Sequence, residues 1–245
     1  MFLRMVSHKI RTNDSIEITS AYRSEIITRL KGQRGCAFVS LLQNISNQKE
    51  CVSLTIWNSK AEAEEYERSG VFKQLFALLI PYFEESTEFA FTLSEDLSIE
   101  YSPVPIEPNV TGYDEEESKK ENIKLLHSTP YAVQIIRLSI PQEHYPQFEE
   151  TFSSAITPKF RQQKGFMHLI LLKHHADCTI ISFWDESVDF SEFSVQAIEE
   201  FTREIVSFLP DDVQWRIVKK QSRLSTVSSS DIQASMYRCL VGEWL

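Results

Sequence analysis

Two passages of this chain repeat one another, and the repeat restricts the available folds more than any other feature. Leu54-Thr-Ile-Trp57 and Ile181-Ser-Phe-Trp184 match in type, position by position. Each is followed by a helical run that a proline stops, Pro81 in the first copy and Pro210 in the second. Gly35 and Gly165 each precede an apolar strand. The paired glycines lie 130 residues apart and the paired tryptophans 127. Order and spacing both persist, as in a diverged internal duplication with too few copies for a solenoid.

Each copy reads as β-α-β-β-α-β, the ferredoxin-like order. In the first, Phe2 to Ile10 is a strand, and Asp14 to Glu17 can cap a helix with Ile18, Tyr22, Ile26 and Leu30 on one face. Cys36–Gln43 and Cys51–Trp57 flank a polar hairpin loop. Ser59 and Glu62 have capping-box spacing, and Gly70 interrupts the helix that follows. Phe72, Leu75, Phe76 and Leu79 form the apolar face of the second helical piece, and Phe89, Phe91 and Leu93 alternate as a final strand. In the second copy Ala132 to Ile140 is a strand, Pro146 sits in the first turn of a helix, and Pro158 predicts a kink. Phe166–Leu172 and Cys178–Trp184 are the next strands. A helix with Val195, Ile198, Phe201, Ile205 and Phe208 follows, then an alternating strand at Val213, Trp215 and Ile217.

The middle strands decide how the copies are arranged. Ala37, Val39 and Leu41 are apolar, and so are Phe38 and Leu42; the same holds for Phe166 through Leu172, broken only by His168. A sheet with helices on one face would leave its other face polar. Here both faces need cover, and leaving one such Leu or Phe in water forfeits about 1.5–3 kcal/mol. The natural cover is the sheet of the other copy. The predicted class is therefore α+β: two ferredoxin-like units packed sheet to sheet as an intramolecular dimeric α/β barrel. The expected divisions are a first unit at 1–105, an acidic and proline-containing linker at 106–130, a second unit at 131–221 and a flexible tail at 222–245, whose end is apolar enough to dock.

With 42% hydrophobic and 24% charged residues, the chain has the balance of a globular protein. No apolar run is long enough to span a bilayer, and the first residues lack a signal-peptide core, so a cytoplasmic protein is expected. A net charge of −10 argues against nucleic acid and anionic membrane as partners. Cys36, Cys51, Cys178 and Cys239 show no metal-binding spacing.

On the strand-Trp-Xaa-Ser-Lys-helix passage, Gly35 before its apolar hairpin and the repeated element order, the chain resembles two tandem antibiotic-biosynthesis-monooxygenase (ABM) domains of the dimeric α/β-barrel superfamily. The likeness covers about residues 1–100 and 131–220. Leu54 to Phe76 is most similar to the heme-degrading branch. That branch implies a catalytic Asn in the first strand, a pocket Trp and an axial His; the matching positions here are Ser7, Tyr66 and Phe76, with Arg137 at the first-strand position of the second unit. Phe76 offers no lone pair to iron, so no cofactor, heme included, is expected.

The remaining candidates have two readings each. His8 and His168 lie in strands, as acid–base groups near neutral pH or as satisfied structural histidines. Trp57 and Trp184 line a pocket or pack in the core. Arg137, among apolar neighbours, needs a partner if buried, from a Glu or a substrate carboxylate. The resemblance implies a monooxygenase acting without metal or flavin on a small aromatic or quinol-like substrate, one that carries its own reducing power and need only be desolvated and deprotonated. The alternatives are a non-catalytic small-molecule-binding or assembly module with a degenerate site, and a heme-binding or heme-degrading protein. A small apolar or aromatic ligand is the expected partner, and further association of whole chains is left open.

Overall fold

The computed structural model describes residues 2–11, 15–84, 89–93, 99–103, 109–114, 131–174, 177–186, 201–214 and 232–245. The first unit contributes β1 (Phe2–Lys9), α1 (Ile16–Ala21), a π-helical stretch (Tyr22–Ile27), α2 (Thr28–Leu30), β2 (Cys36–Asn44), β3 (Glu50–Trp57), α3 (Lys60–Arg68) and α4 (Val71–Leu79). Next come β4 (Phe89–Leu93), β5 (Ile99–Pro103) and β6 (Asn109–Asp114). The second unit has β7 (Tyr131–Ser139), α5 (Tyr145–Thr151), a π-helical stretch (Phe152–Ile156), α6 (Thr157–Arg161), β8 (Phe166–His174), β9 (Asp177–Asp185) and β10 (Ile232–Trp244). Among the described residues no helix is long and apolar enough to cross a membrane.

Eight strands close a barrel in the order β1-β3-β2-β10-β7-β9-β8-β6. Its two halves, β6-β1-β3-β2 and β10-β7-β9-β8, each have the ferredoxin-like order, with the last strand beside the first. The fourth strand of each unit also pairs with the second strand of the other. β10 forms seven register pairs with β2, from Tyr237↔Asn44 to Trp244↔Phe38. Among the described residues β6 meets β8 at a single pair, Asp114↔Lys173.

Strand alternation divides the apolar side chains into three layers. Leu3, Met5, Phe38, Leu42, Leu54 and Ile56 meet Tyr131, Val133, Ile135, Ile181 and Phe183 inside the barrel. The outward residues pack under each unit's helices, as with Val39, Leu41 and Trp57 in the first unit and Ile136, Leu138 and Trp184 in the second. The two-sided apolar strands therefore have both of their covers.

Both fourth strands lie elsewhere than the sequence reading put them. Phe89–Leu93 pairs with β5 in a separate two-stranded sheet, and the barrel position beside β1 belongs to β6, inside the segment expected as a linker. In the second unit residues 211–214 form a helical turn, and Trp215 and Ile217 lie outside the described residues. The strand beside β7 is β10, within the segment expected as a flexible tail. Residues 115–130 and 187–200, with most of the expected linker charge run and the start of the expected last helix, also lie outside them.

Local chemistry explains the helix ends. Ser59 accepts from the Glu62 backbone N–H at 3.3 Å, and its hydroxyl donates to the Glu62 carboxylate at 2.9 Å. Gly70, at φ 79°, separates α3 from α4. Pro158 falls in the first turn of α6, after the π-helical stretch. The first unit has the same stretch without a proline, so the widening belongs to the repeat and Pro158 is not its cause.

Candidate functional site

Residues 4, 6 and 8 of β1 point away from the barrel interior, toward the helices. Their partners on β3 are Thr55 opposite Arg4, Ser53 opposite Val6, and Cys51 opposite His8. Over this floor lie Tyr22, Ile26 and Leu30 from the first helical segment, Tyr66 from α3, and Phe72, Leu75, Phe76 and Leu79 from α4, with Phe83 at one end. The cavity between floor and roof is small, about 40 Å³.

An aromatic series runs along one wall, backed at its far end by Trp57. Trp57 contacts Tyr66 at 4.9 Å between ring centres, Tyr66 contacts Phe72 at 6.1 Å, Phe72 contacts Phe76 at 5.9 Å, and Phe76 contacts Phe83 at 5.2 Å. His8 closes the series, 4.6 Å from Phe83.

Two polar groups stand out against this apolar setting. The guanidinium of Arg4 lies 3.9 Å from the ring centre of Phe72 and 5.7 Å from that of Tyr66. Arg4 is only 4% exposed. Its Nε and Nη2 are buried without a hydrogen-bond partner; the nearest carboxylate, Glu67, is 3.9 Å from Nη2 and itself half exposed. Burial lowers the pKa of Arg4, opposed by Tyr66 and Glu67, and a guanidinium stays charged at neutral pH. Neither ring nitrogen of His8 has a hydrogen-bond partner. Burial pushes its pKa down to about 4; the Val6 backbone acts the other way without meeting hydrogen-bond geometry. The imidazole is thus neutral at pH 7 and able to accept a proton.

Tyr22, Ser53, Thr55 and Trp57 are satisfied. Tyr22 Oη and Ser53 Oγ are 2.6 Å apart, and Trp57 Nε1 donates to Thr55 Oγ1 at 3.0 Å. Burial raises the pKa of both Tyr22 and Tyr66, so both phenols stay protonated.

Of the sequence-derived candidates, the structure brings together His8, Tyr66 and Phe76. Trp57 stands behind Tyr66, fully buried, and does not line the cavity. Ser7 shares the parity of Met5 and lies on the barrel side of β1, away from the pocket. Arg137 holds the corresponding place on β7, with the parity of Ile135, and is only partly buried. His168 pairs with Phe183 in register and has its ring 6.3 Å from that residue, on the barrel side. Trp184 is packed between Phe160 and Phe166 in the second unit's core. Arg4, Tyr22, Ser53, Thr55, Phe72 and Phe83 were missed. For Arg4 the signal was present: an arginine between Leu3 and Met5, on the same strand face as His8.

Among the described residues the second unit does not repeat this site. Phe2↔Trp57 and Ala132↔Trp184 are equivalent register pairs, which sets Gln134 in place of Arg4, Leu138 in place of His8 and Ile180 in place of Ser53. Phe152 opens the π-helical stretch where Tyr22 opens the other. Leu138, Phe152 and Ile180 belong to one continuous apolar cluster with Phe148, Phe160 and Phe208.

The residues of this pocket do not fit a heme. Phe76 has no lone pair, and its ring fills space between Phe72 and Phe83. His8 lies in the floor against Phe83, and the cavity has room for two or three waters. Among the described residues no group of three or more His, Cys, Asp or Glu could hold a metal ion.

No protein-family model matches the chain, and no curated protein does. Solved structures do match over nearly its full length. A candidate monooxygenase from Fusobacterium nucleatum subsp. nucleatum superposes with a TM-score of 0.61 at 10% identity, over 99% of this chain and 94% of that one. Another, from Lactobacillus acidophilus, gives 0.56 at 6% identity, over 99% and 95%. At such identities the likeness shows a shared fold.

Proposed function

We propose that the chain is an ABM-type monooxygenase whose working site is the first unit's pocket, acting on a small aromatic or quinol-like substrate without metal or flavin. One observation carries this reading. The cavity is walled by aromatic rings and holds two buried polar side chains with unsatisfied nitrogens, Arg4 and His8. Buried polar groups are normally hydrogen-bonded, so a ligand is a natural partner for both.

The chemistry follows from those groups. A substrate with an acidic ring CH₂ gives one proton to the free nitrogen of His8. The carbanion, delocalised into the ring, gives electrons to dioxygen, and a carbon–oxygen bond forms. The O–O bond then breaks: the remaining C–H loses its proton as the carbonyl forms, and the distal oxygen leaves as water with that proton and the one from His8. One CH₂ and one O₂ become one C=O and one H₂O. Arg4 offsets the negative charge that develops, in a site where low polarity strengthens the attraction. The four cysteines form no disulfide, which suits a reducing compartment such as the cytoplasm.

The small cavity favours a second reading, a binding module without catalysis. Oxygen uptake with anthrone and with a hydroquinone separates the two. The oxygenase reading expects saturable uptake that survives a chelator and falls at least tenfold in His8→Leu. Uptake no greater than that of the variant would remove it.

A further inference from the structure

The pocket is asymmetric along its floor. Arg4 and His8 are four residues apart on β1, on the order of 13 Å by strand rise, with only Val6 between them on that face. The charge lies entirely at the Arg4 end. The two unpartnered nitrogens of Arg4, Nε and Nη2, make up one edge of the guanidinium, the edge that grips two oxygens or one oxyanion side-on. One face of the guanidinium is already engaged, since its central carbon lies 3.9 Å from the ring centre of Phe72. Glu67 does not take up the free edge, because at 3.9 Å it is beyond hydrogen-bond reach.

We propose that this pocket takes a planar aromatic oxyanion, with the charged oxygen on the free edge of Arg4 and the ring against Phe72 and Phe76. The proposal rests on the assignment of the first unit's pocket as the working site, and it names the class of ligand. An aromatic carboxylate and a phenolate share this chemistry. Either supplies what the buried cation lacks, and a neutral ring of the same shape leaves Arg4 unsatisfied. The second unit cannot do the same, since Gln134 stands in place of Arg4 and accepts from Ser182 Oγ at 3.4 Å. The ring needs more space than the cavity now gives. The proposal therefore requires α4 to move outward; Phe72 and Phe76 are only partly buried there, and α4 joins α3 through Gly70, around which a Cβ would meet nothing within 4 Å.

The test titrates the full chain at pH 7 with 2-naphthoate and with 2-naphthylmethanol, its uncharged analogue, and follows 2-naphthol from pH 7 to pH 10. 2-Naphthoate should bind at least tenfold tighter than the alcohol, about 1.4 kcal/mol. Tightening of 2-naphthol as it ionises would point to a phenol as the native ligand, and a gain with the carboxylate alone to an aromatic acid. In Arg4→Met the preference for charge should shrink to under twofold, and in Gln134→Met it should persist. If Arg4→Met does not fold, Arg4→Lys takes its place. It keeps the charge without the fork, so the preference should fall severalfold. Equal binding of the charged and neutral probes, no binding of any probe, or a preference unchanged by the Arg4 variants would overturn the proposal. Binding is read without turnover. Arg4-dependent binding with no oxygen uptake keeps this inference and removes the oxygenase reading, and uptake of neutral quinols without a charge preference does the reverse.

Discussion

A single position of parity separates Ser7 from His8, and with it the barrel interior from the pocket. Matching residue types along β1 pointed to Ser7, while strand period assigns the pocket face to Arg4, Val6 and His8. Burial was the harder property to read. Arg137 looked like a buried cation and is only partly buried, while Arg4 in the equivalent apolar context is buried. The difference is one of strand face: Arg4 points toward its unit's helices, while Arg137, with the parity of Ile135, lies on the barrel side. His8 gives a pH test at this scale. Below its ordinary value of 6.5 the unfolded chain takes up a proton that the folded chain refuses until about 4. Stability should therefore fall as pH drops through that window and be unaffected above it, by roughly 3 kcal/mol at full effect. Urea midpoints at pH 7.5 and 4.5 should differ less in His8→Leu, which copies Leu138 of the second unit. His168 is shifted the same way, and it is unchanged in that comparison. Equal pH dependence in the two proteins would mean that His8 is not held neutral.

Among the elements, helices and central strands were legible because their signals are local: the i+4 apolar positions of α1, the Ser59 cap, and the apolar runs of β2 and β8. The fourth strands were not. Phe89–Leu93 has real strand alternation and forms a strand, but alternation does not name a partner. β6 and β10 carry polar and small residues among their apolar ones, and their stability comes from having a neighbour on each side. The two positive-φ glycines around α3 make a paired test. Gly70→Ala meets no atom, so only its left-handed backbone, φ 79°, opposes it, by about 1–2 kcal/mol. Gly35→Ala has the same backbone problem at φ 80°, and its Cβ would lie 2.3 Å from the Glu62 carboxylate. It should cost about 1 kcal/mol more, since the Ser59–Glu62 cap must break. Urea denaturation of both variants measures the difference, and the reverse order would contradict the packing of Glu62 over Gly35.

For the whole molecule, the two seams of the barrel are unequal. Among the described residues β2–β10 is a ladder of seven register pairs and β6–β8 a single one. Native-state hydrogen exchange should be faster along the β8 edge that faces β6 than along β2, because local opening starts where the fewest bonds must break. Equal protection would show the seams to be equally strong. Removal of residues 232–245 should be more damaging than the loss of a tail. It strips the edges of both β2 and β7 and uncovers Tyr131 and Val133 inside the barrel, so the truncated chain should aggregate or lose its cooperative melt. For the same reason a fragment 1–105 should not be a stable monomer, since it lacks β6 as well as the second half of the barrel. A soluble, monomeric, cooperatively melting fragment would count against the closed barrel.

The β2–β10 seam also sets a timetable. Gln43 and Arg238, which meet across it through hydrogen bonds at 3.0 and 2.6 Å, are 195 residues apart. At ordinary rates of translation, about 5–20 residues per second, the later strand follows the earlier by roughly 10 to 40 seconds. For that interval the nascent chain holds a finished hairpin, β2–β3, with Phe38, Leu42, Leu54 and Ile56 facing a barrel that has no second half. Each ribosome in a polysome presents the same sticky surface to its neighbours, so the yield of this protein in a cell will depend on how well that half-built intermediate is shielded.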